Sequence, residues 1–306
     1  MESASVTMMT SRKTAIGTMW VLLSLPVAVA LIEAVSFYVL NASNGTLISA
    51  GRNRDYLLFV PKNYDSAKPT PLVISMHGAA MWGAAQKDTS QWNTVAEREG
   101  FMVVYPSGAK GNGPRHWEEE DVTFISELID ALEAAYNIDP TRIYANGLSN
   151  GGGMAFGLSC TLSDRIAAVG MVAAAHLAPF SWCTDPRPVP MISFHGTADR
   201  FAPYHGGSSW VAPRPFPSMV TWTANWAGRN RCDPNPIDSA VAADVTRRAY
   251  TGCADDAAVV LYTINGGGHT WPGGTPLPEW FAGSTTRSID ASSQMWAFFR
   301  QHQLSK

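Results

Sequence analysis

The sequence has 306 residues, of which 46% are hydrophobic and 15% are charged, and its formal net charge is −3. This is the composition of a globular protein long enough for one large α/β domain or two small ones. The chain has no basic excess that would indicate a nucleic-acid partner and no low-complexity segment that would indicate disorder. Its four cysteines show neither C-x-x-C nor zinc-ligand spacing, so they predict no metal site.

The N-terminal residues have the pattern of an export segment. Two basic residues precede an uncharged run, 14–32, and an apolar run, 34–40, follows it. A cleaved signal peptide and an uncleaved signal anchor, tethering the chain to a membrane through residues 14–40, both fit this pattern. With a signal peptide or a signal anchor, the remainder of the chain is expected on the outer side of the membrane, as a secreted, extracellular or periplasmic protein. Disulfides are permitted in these compartments. We therefore expect a leader over residues 1–40 and a single exported domain over 41–306.

Strands alternate with helices after a polar stretch, 41–53, that is predicted to be a linker or an opening turn. Strands are predicted over residues 56–60, 71–76, 101–105, 143–145, 167–172, 189–194, 245–250 and 259–264. Helices are predicted over residues 89–99, 122–132, 150–159, 218–227 and 289–301. The acidic run 118–121 is interpreted as a helix start rather than a metal site, because acids in a first turn complement the helix dipole. This alternation predicts an α/β fold with a doubly wound, mostly parallel sheet and right-handed crossovers.

A G-x-S-x-G pattern, Gly147 to Gly151, lies between a predicted strand and a predicted helix. A serine that attacks a carbonyl must project from a tight strand-to-helix turn. Glycines two positions before and after it allow neighbouring segments to approach closely. The alternative is a glycine-rich connection without chemistry, but the flanking strand and helix favour Ser149 as a nucleophile.

A serine hydroxyl needs a base that takes its proton and an acid that orients the base. In a doubly wound sheet the expected chain order is serine, acid, histidine, each following a strand. Asp199 and His269 follow strands in that order, His269 on a glycine-rich loop. The other histidines precede Ser149, lack an intervening acid, lack a strand leading in, or lie on the last helix. His195, four residues before Asp199, would crowd the acid. We therefore predict Ser149, Asp199 and His269 as a catalytic triad.

Two backbone N–H groups are expected to stabilise the oxyanion that forms during acyl transfer. One belongs to Asn150, directly after the nucleophile. The other belongs to the loop after the strand 71–76, where we favour Ala79 and keep Ala80 as the alternative. A plain strand-to-helix turn without an oxyanion role is the other interpretation of this loop.

Three tryptophans are predicted to line the substrate site. Trp271 follows His269 on the glycine-rich loop, Trp82 follows the proposed oxyanion loop, and Trp117 ends the loop after another strand. Because these loops gather at one edge of the sheet, indole walls there would contact an acyl chain or an aromatic acid. The alternative is that the tryptophans seal the core, and for Trp117 the two placements are equally indicated.

Four blocks of the sequence resemble one family: Leu72–Gly78, Gly147–Gly152, His195–Asp199 and Gly267–Gly274. They resemble the polyhydroxybutyrate-depolymerase-type esterases, which are α/β-hydrolases that also include feruloyl and acetylxylan esterases. The resemblance implies the α/β-hydrolase fold, the same triad, and no metal or organic cofactor. Many members carry a cysteine where Ala79 stands, which weakens any transfer of substrate identity. No separate substrate-binding domain follows, so soluble small-molecule or oligomeric esters, from plant cell walls or polyesters, are expected rather than crystalline polyester.

The cysteines and the activity are interpreted from the same resemblance. Four cysteines allow three pairings, and the resemblance favours Cys160–Cys183 and Cys232–Cys253. It implies an exported serine esterase that works through an acyl-enzyme. The alternatives are a serine peptidase on the same fold and a catalytically silent binding protein on a hydrolase scaffold.

Overall fold

A ten-stranded sheet forms the centre of the fold in a computed structural model that describes residues 42–109, 114–175, 183 and 187–305. Along the sheet the strand order is β1-β2-β4-β3-β5-β6-β7-β10-β9-β8. The strands are β1 (Gly45–Ser49), β2 (Arg52–Phe59), β3 (Thr70–Met76), β4 (Met102–Pro106), β5 (Ile138–Leu148), β6 (Ala168–Val172), β7 (Met191–Gly196), β8 (Ile237–Ala242), β9 (Val245–Tyr250) and β10 (Val259–Ile264). The predicted leader, residues 1–40, lies outside the described residues.

The middle of the sheet, from β4 through β3, β5, β6 and β7 to β10, is parallel, and antiparallel strands flank it on both sides. The helices are α1 (Gly83–Ser90), α2 (Trp92–Glu99), α3 (Asp121–Ala135), α4 (Asn150–Thr161), α5 (Met219–Arg229), α6 (Glu279–Ala282) and α7 (Ala291–Phe299). This is the α/β-hydrolase fold with the mostly parallel sheet that the sequence predicts. The carboxyl ends of the parallel strands meet at one edge, where such folds hold their functional loops.

Two hydrophobic cores cover the two faces of the sheet. Residues of β3 divide between them, because successive side chains of a strand point to opposite faces: Leu72 and Ile74 join one core and Val73 the other. Helices α3, α4 and α5 pack on the first face, and α2 and α7 pack on the second. The sheet is therefore buried on both sides, which explains why its central strands are almost continuously apolar.

Two local predictions are wrong, and one strand was not predicted. The stretch 41–53 is not a linker but holds β1 and the start of β2, which pair antiparallel through a turn at Ala50 and Gly51, both with positive φ. The predicted helix 89–99 is two helices, because Gln91 adopts a left-handed conformation with φ 57°. Strand β8 was not predicted, since it is an edge strand whose side chains are almost all exposed and show no apolar alternation.

The interpretation of the acidic run is confirmed. Asp121 begins α3, is buried, and forms an ion pair with Arg54 whose Nη1–Oδ1 distance is 2.6 Å. Arg54 also donates a hydrogen bond from Nη2 to the carbonyl oxygen of Ser107. In the part of the chain that the structure describes, no helix is long and apolar enough to cross a membrane.

Candidate active site

Ser149 occupies the turn between β5 and α4 in a strained backbone conformation, with φ 54° and ψ −118°. A positive φ is rare for a residue other than glycine and marks a position that the surrounding structure enforces. A Cβ atom at Gly147 would lie 2.3 Å from the carbonyl carbon of Gly151, and one at Gly151 would lie 2.3 Å from the carbonyl oxygen of Met76. The predicted reason for both glycines, close approach of neighbouring backbone, is confirmed.

Asp199 and His269 are brought together by the loops after β7 and β10, which are neighbouring parallel strands. His269 Nδ1 lies 2.8 Å from Asp199 Oδ2, and the Asp199 side chain is fully buried. The other carboxylate oxygen, Oδ1, accepts hydrogen bonds from the backbone N–H groups of Phe201 and Ala202 at 2.8 and 2.9 Å. With Nδ1–H donated to Asp199, the neutral imidazole carries its basic lone pair on Nε2.

His195 contacts the same carboxylate. Its Nε2 lies 2.7 Å from the carbonyl oxygen of Ala202 and 3.3 Å from Asp199 Oδ2, so its N–H is shared between two acceptors. Burial alone would raise the pKa of Asp199, but hydrogen bonds from His195 and His269 outweigh burial and hold that pKa well below its usual value. The crowding predicted for His195 is therefore a favourable contact that keeps Asp199 ionised.

Ser149 and His269 line one cavity of about 480 Å³ at the carboxyl edge of the sheet. The rest of the wall is mainly apolar and comes from four loops. Its members are Ala79, Pro114, His116, Asn150, Gly153, Ala173, Ala174, Ala175, Phe201, Ala202, Val211, Ala212, Pro213 and Phe216. A mainly apolar wall with a few polar groups is typical of a small-molecule binding site.

Of the predicted oxyanion donors, Asn150 is the first residue of α4 and Ala79 lies on the loop after β3, and both line the cavity. The alternative, Ala80, donates its N–H to the carbonyl oxygen of Arg115 at 2.7 Å. Among the described residues no acceptor takes the N–H of Ala79. The hydrogen bonding thus favours Ala79 over Ala80 as the second donor.

His77 fixes the loop that carries Ala79. Its Nδ1–H donates to the carbonyl oxygen of Gly78 at 2.7 Å, and its Nε2 accepts the N–H of Gly108 at 2.9 Å. Burial lowers the pKa of His77 to about 4, so the ring is neutral near pH 7 and can make both bonds. His77 thereby ties the loop after β3 to the loop after β4.

The predicted rim position of Trp271 is wrong. Trp271 is 1% exposed, belongs to the core beneath α7, and donates from Nε1 to Ser292 Oγ at 3.1 Å. The glycines that follow it let the loop pack closely: a Cβ at Gly274 would lie 3.0 Å from the indole. The glycine-rich loop therefore wraps around the ring instead of leaving it at the surface.

The other two tryptophans do not line the cavity either. Trp82 is half-buried at the start of α1. Trp117 is 5% exposed and donates from Nε1 to the carbonyl oxygen of His77 at 2.9 Å. The side chain of Asn150 makes two hydrogen bonds to the backbone of Trp117. Asn150 Oδ1 accepts the Trp117 backbone N–H at 2.6 Å, and Asn150 Nδ2 donates to the Trp117 carbonyl oxygen at 3.2 Å. Trp117 thus joins the His77 loop to the start of α4, a structural role in place of substrate contact.

Sequence reasoning missed the residues that do form the apolar wall. Phe201 packs on His269, with the two ring centroids 4.8 Å apart. Its position two residues after Asp199 is a signal that could have identified it. Val211, Pro213 and Phe216 belong to the segment between β7 and α5, and nothing in its sequence pattern predicts where it folds.

Two disulfides, Cys160–Cys183 and Cys232–Cys253, are present, and their pairing is the one that the resemblance implies. Cys160 lies in the last turn of α4, so the first bridge joins the end of this helix to the segment before β7. The second joins the end of α5 to the residues after β9.

The sheet order, the strained serine after β5, and the paired acid and histidine after β7 and β10 define a protein of the α/β-hydrolase class. Residues 54–179 match the family model described as "Esterase PHB depolymerase". This match, together with the relatives below, supports a place for the chain in the polyhydroxybutyrate-depolymerase-type esterase family.

Relatives and a solved structure agree with this assignment. The chain is 32% identical over 230 residues to feruloyl esterase B of Piromyces equi, covering 71% of this chain and 42% of that enzyme. It is 29% identical over 271 residues to the putative esterase NocK of Nocardia uniformis subsp. tsuyamanensis, covering 80% and 79% of the two chains. The acetyl xylan esterase structure from Aspergillus awamori matches with a TM-score of 0.59 at 17% identity, over 83% of this chain and 98% of that one, and supports the fold. The chain spans less than half of the length of the Piromyces enzyme.

Proposed function

We propose that the chain is an exported serine esterase that hydrolyses carboxylic esters through an acyl-enzyme. The observation that carries the proposal is the arrangement around the cavity. Ser149 projects from a strained turn, and His269, oriented by the buried Asp199, lines the same space. A serine, a histidine base and an orienting carboxylate are the parts that acyl transfer requires.

In this reaction Ser149 Oγ attacks the ester carbonyl carbon while its proton passes to His269 Nε2. The carbonyl oxygen becomes an oxyanion, which the N–H groups of Asn150 and Ala79 stabilise. When the tetrahedral intermediate collapses, the C–O bond to the alcohol breaks and Nε2–H protonates the leaving alkoxide. Water then repeats the sequence on the acyl-enzyme, with His269 taking one proton from water and returning it to Ser149. Asp199 stays ionised throughout and stabilises the imidazolium.

The test is to remove the nucleophile and the base. Ser149→Ala should lower kcat about a million-fold, about 8 kcal/mol of barrier, and His269→Ala should cost about as much. The double variant should lose little more, because the two residues act as a unit. Ser239→Ala is the matched control, since Ser239 is exposed on the edge strand β8. A Ser149→Ala enzyme with a tenth of the wild-type activity would refute the assignment.

A fluorophosphonate probe separates this function from the two alternatives. Labelling of Ser149 would exclude a silent binding protein, and a panel that pairs each ester with its amide would separate an esterase from a peptidase. The panel should include methyl ferulate, acetylated xylan and hydroxybutyrate oligomers, because relatives in the family carry names that point to feruloyl and acetylxylan esters and to polyester. Two disulfides support export, since such bonds persist in oxidising compartments. Recovery of the bridged protein only from the cytosol would contradict it.

A further inference from the structure

Four aromatic side chains form a continuous apolar surface beside the cavity, here called the aromatic shelf: Phe201, Trp210, Trp280 and Phe281. Phe201 is at its centre, with ring centroids 5.3 Å from Trp210 and 5.0 Å from Phe281, and Trp280 lies 5.8 Å beyond Phe281. Trp210 is 76% exposed and Trp280 is 82% exposed. Contiguous exposed aromatic surface of this kind marks a binding site.

Backbone hydrogen bonds fix the shelf relative to the catalytic histidine. The loop that carries Trp210 is closed at its base, where Gly207 and Phe216 exchange N–H to O bonds of 2.9 and 2.8 Å. On the other side, the N–H of His269 donates to the carbonyl oxygen of Ala282, directly after the two shelf residues of α6, at 2.6 Å. The part of the shelf that lies on α6 is therefore hydrogen-bonded to the backbone of His269.

The chemistry of the proposed reaction tells which part of the substrate meets the shelf. His269 Nε2 must protonate the leaving alkoxide, so the alcohol part of the ester lies on the His269 side of Ser149. The acyl part lies on the opposite side, towards the oxyanion donors. Phe201 packs against the His269 ring, which places the shelf on the alcohol side.

The shape and chemistry of the shelf indicate what kind of alcohol it suits. Successive rings are tilted by 54°, 68° and 62°, so they offer no flat ladder on which sugar rings could stack. Its only hydrogen-bond donors are the two indole N–H groups, which are too few for a polyhydroxylated group. An apolar chain or ring gains instead from contact with tilted aromatic faces and edges.

We infer that the aromatic shelf is a subsite for the alcohol part of the ester and that this part is an apolar alkyl or aryl group. The inference rests on the proposed function, because the alcohol side of the site is identified as the side on which His269 protonates the leaving alkoxide. It moves apolar recognition from the acyl side, where the sequence places Trp271, to the leaving-group side.

The experiment uses two isomeric esters that carry the same phenylalkyl group on opposite sides: phenylpropyl acetate, on the alcohol, and methyl phenylbutanoate, on the acid. Methyl acetate is the reference without either group. The variant is the double substitution Trp210→Ala and Trp280→Ala. The matched control is Ile48→Ala with Ile237→Ala, since these side chains are 73% and 61% exposed on the edge strands β1 and β8.

We expect kcat/KM for phenylpropyl acetate to fall about 10-fold in the double tryptophan variant, from loss of apolar contact. The other two esters should change less than about 2-fold, and the control variant should match the wild type on all three. Equal losses on the two isomers, a loss confined to methyl phenylbutanoate, or no loss would overturn the inference. So would an equal loss on acetylated xylose, which would assign the shelf to sugars. If Ser149→Ala still hydrolyses methyl acetate, the proposed function fails. If Ser149→Ala is inactive but the double tryptophan variant loses kcat/KM equally on the two isomeric esters, only the shelf assignment fails.

Discussion

Replacing Trp271 by alanine should reduce stability much more than it changes substrate preference. The indole is 1% exposed in the core under α7. Truncating a buried tryptophan to alanine costs about 3–5 kcal/mol, because transfer energy is lost and a cavity remains. The substitution also removes the donor to Ser292 Oγ, a bond worth about 1 kcal/mol. At about 2–4 °C per kcal/mol for a domain of this size, the melting temperature should fall by about 8–24 °C.

The assay combines thermal denaturation with kcat/KM on an acetyl ester and on an ester with a bulky acyl group. Both values should fall together if the His269 loop loses its support, so their ratio should stay constant. Trp271→Phe is the matched variant, since it keeps an aromatic ring but cannot donate to Ser292, and its melting temperature should lie between the other two. An unchanged melting temperature with a selective loss on the bulky acyl ester would refute the reasoning, because it would mean that Trp271 contacts substrate.

Three more predictions concern groups that surround the site. His77 has a folded pKa of about 4 against about 6.5 when unfolded, so its neutral form contributes stability that is present above pH 6.5 and lost as the pH falls towards 4. Measured by urea denaturation, the free energy of unfolding of the wild type should therefore fall by about 3 kcal/mol more than that of His77→Gln between pH 7 and pH 4. His195→Leu should lower kcat about 10-fold at unchanged KM, because Asp199 loses a donor, and His195→Gln should restore it; a rise in KM alone would contradict this role. Replacing Cys232 and Cys253 by serine should cost about 3 kcal/mol for a sequence separation of 21 residues, and an unchanged denaturation midpoint would refute the estimate.

The order of motifs along the chain predicts that the three proposed catalytic residues lie at one edge of the sheet. Ser149, Asp199 and His269 each follow a strand of the parallel part of the sheet, and the carboxyl ends of such strands share one edge. Strand identity was also readable there, because strands buried on both faces are nearly continuous apolar runs. For the centre of the sheet, the apolar strand patterns and the order of the motifs therefore predict the same arrangement.

The edges of the sheet and the surroundings of the site could not be predicted in this way. Strand β8 is paired on one side and exposed on both faces, so burial imposes no pattern on its sequence. The break at Gln91 has neither glycine nor proline to mark it. Gln91 adopts a left-handed conformation there, and its side-chain Nε2 donates to the carbonyl oxygen of Asp88 and to Thr275 Oγ1. The environment of Trp271 depends on Ser292, 21 residues later in the chain. Each of these features is decided by tertiary packing, which overrides local propensity.

The buried and the exposed tryptophans together reverse the expected distribution of apolar contacts around the triad. Glycines beside Trp271 were interpreted as a sign that little core lay nearby, but small residues are also what allows backbone to close around an indole. Trp210 and Trp280 belong to one aromatic surface because Phe201 and Phe281, on the segments after the adjacent strands β7 and β10, contact each other. The apolar surface that Trp271 does not provide is thus provided by exposed rings after β7 and after β10. Phe201 places that surface beside His269, on the side that the proposed reaction gives to the leaving alcohol.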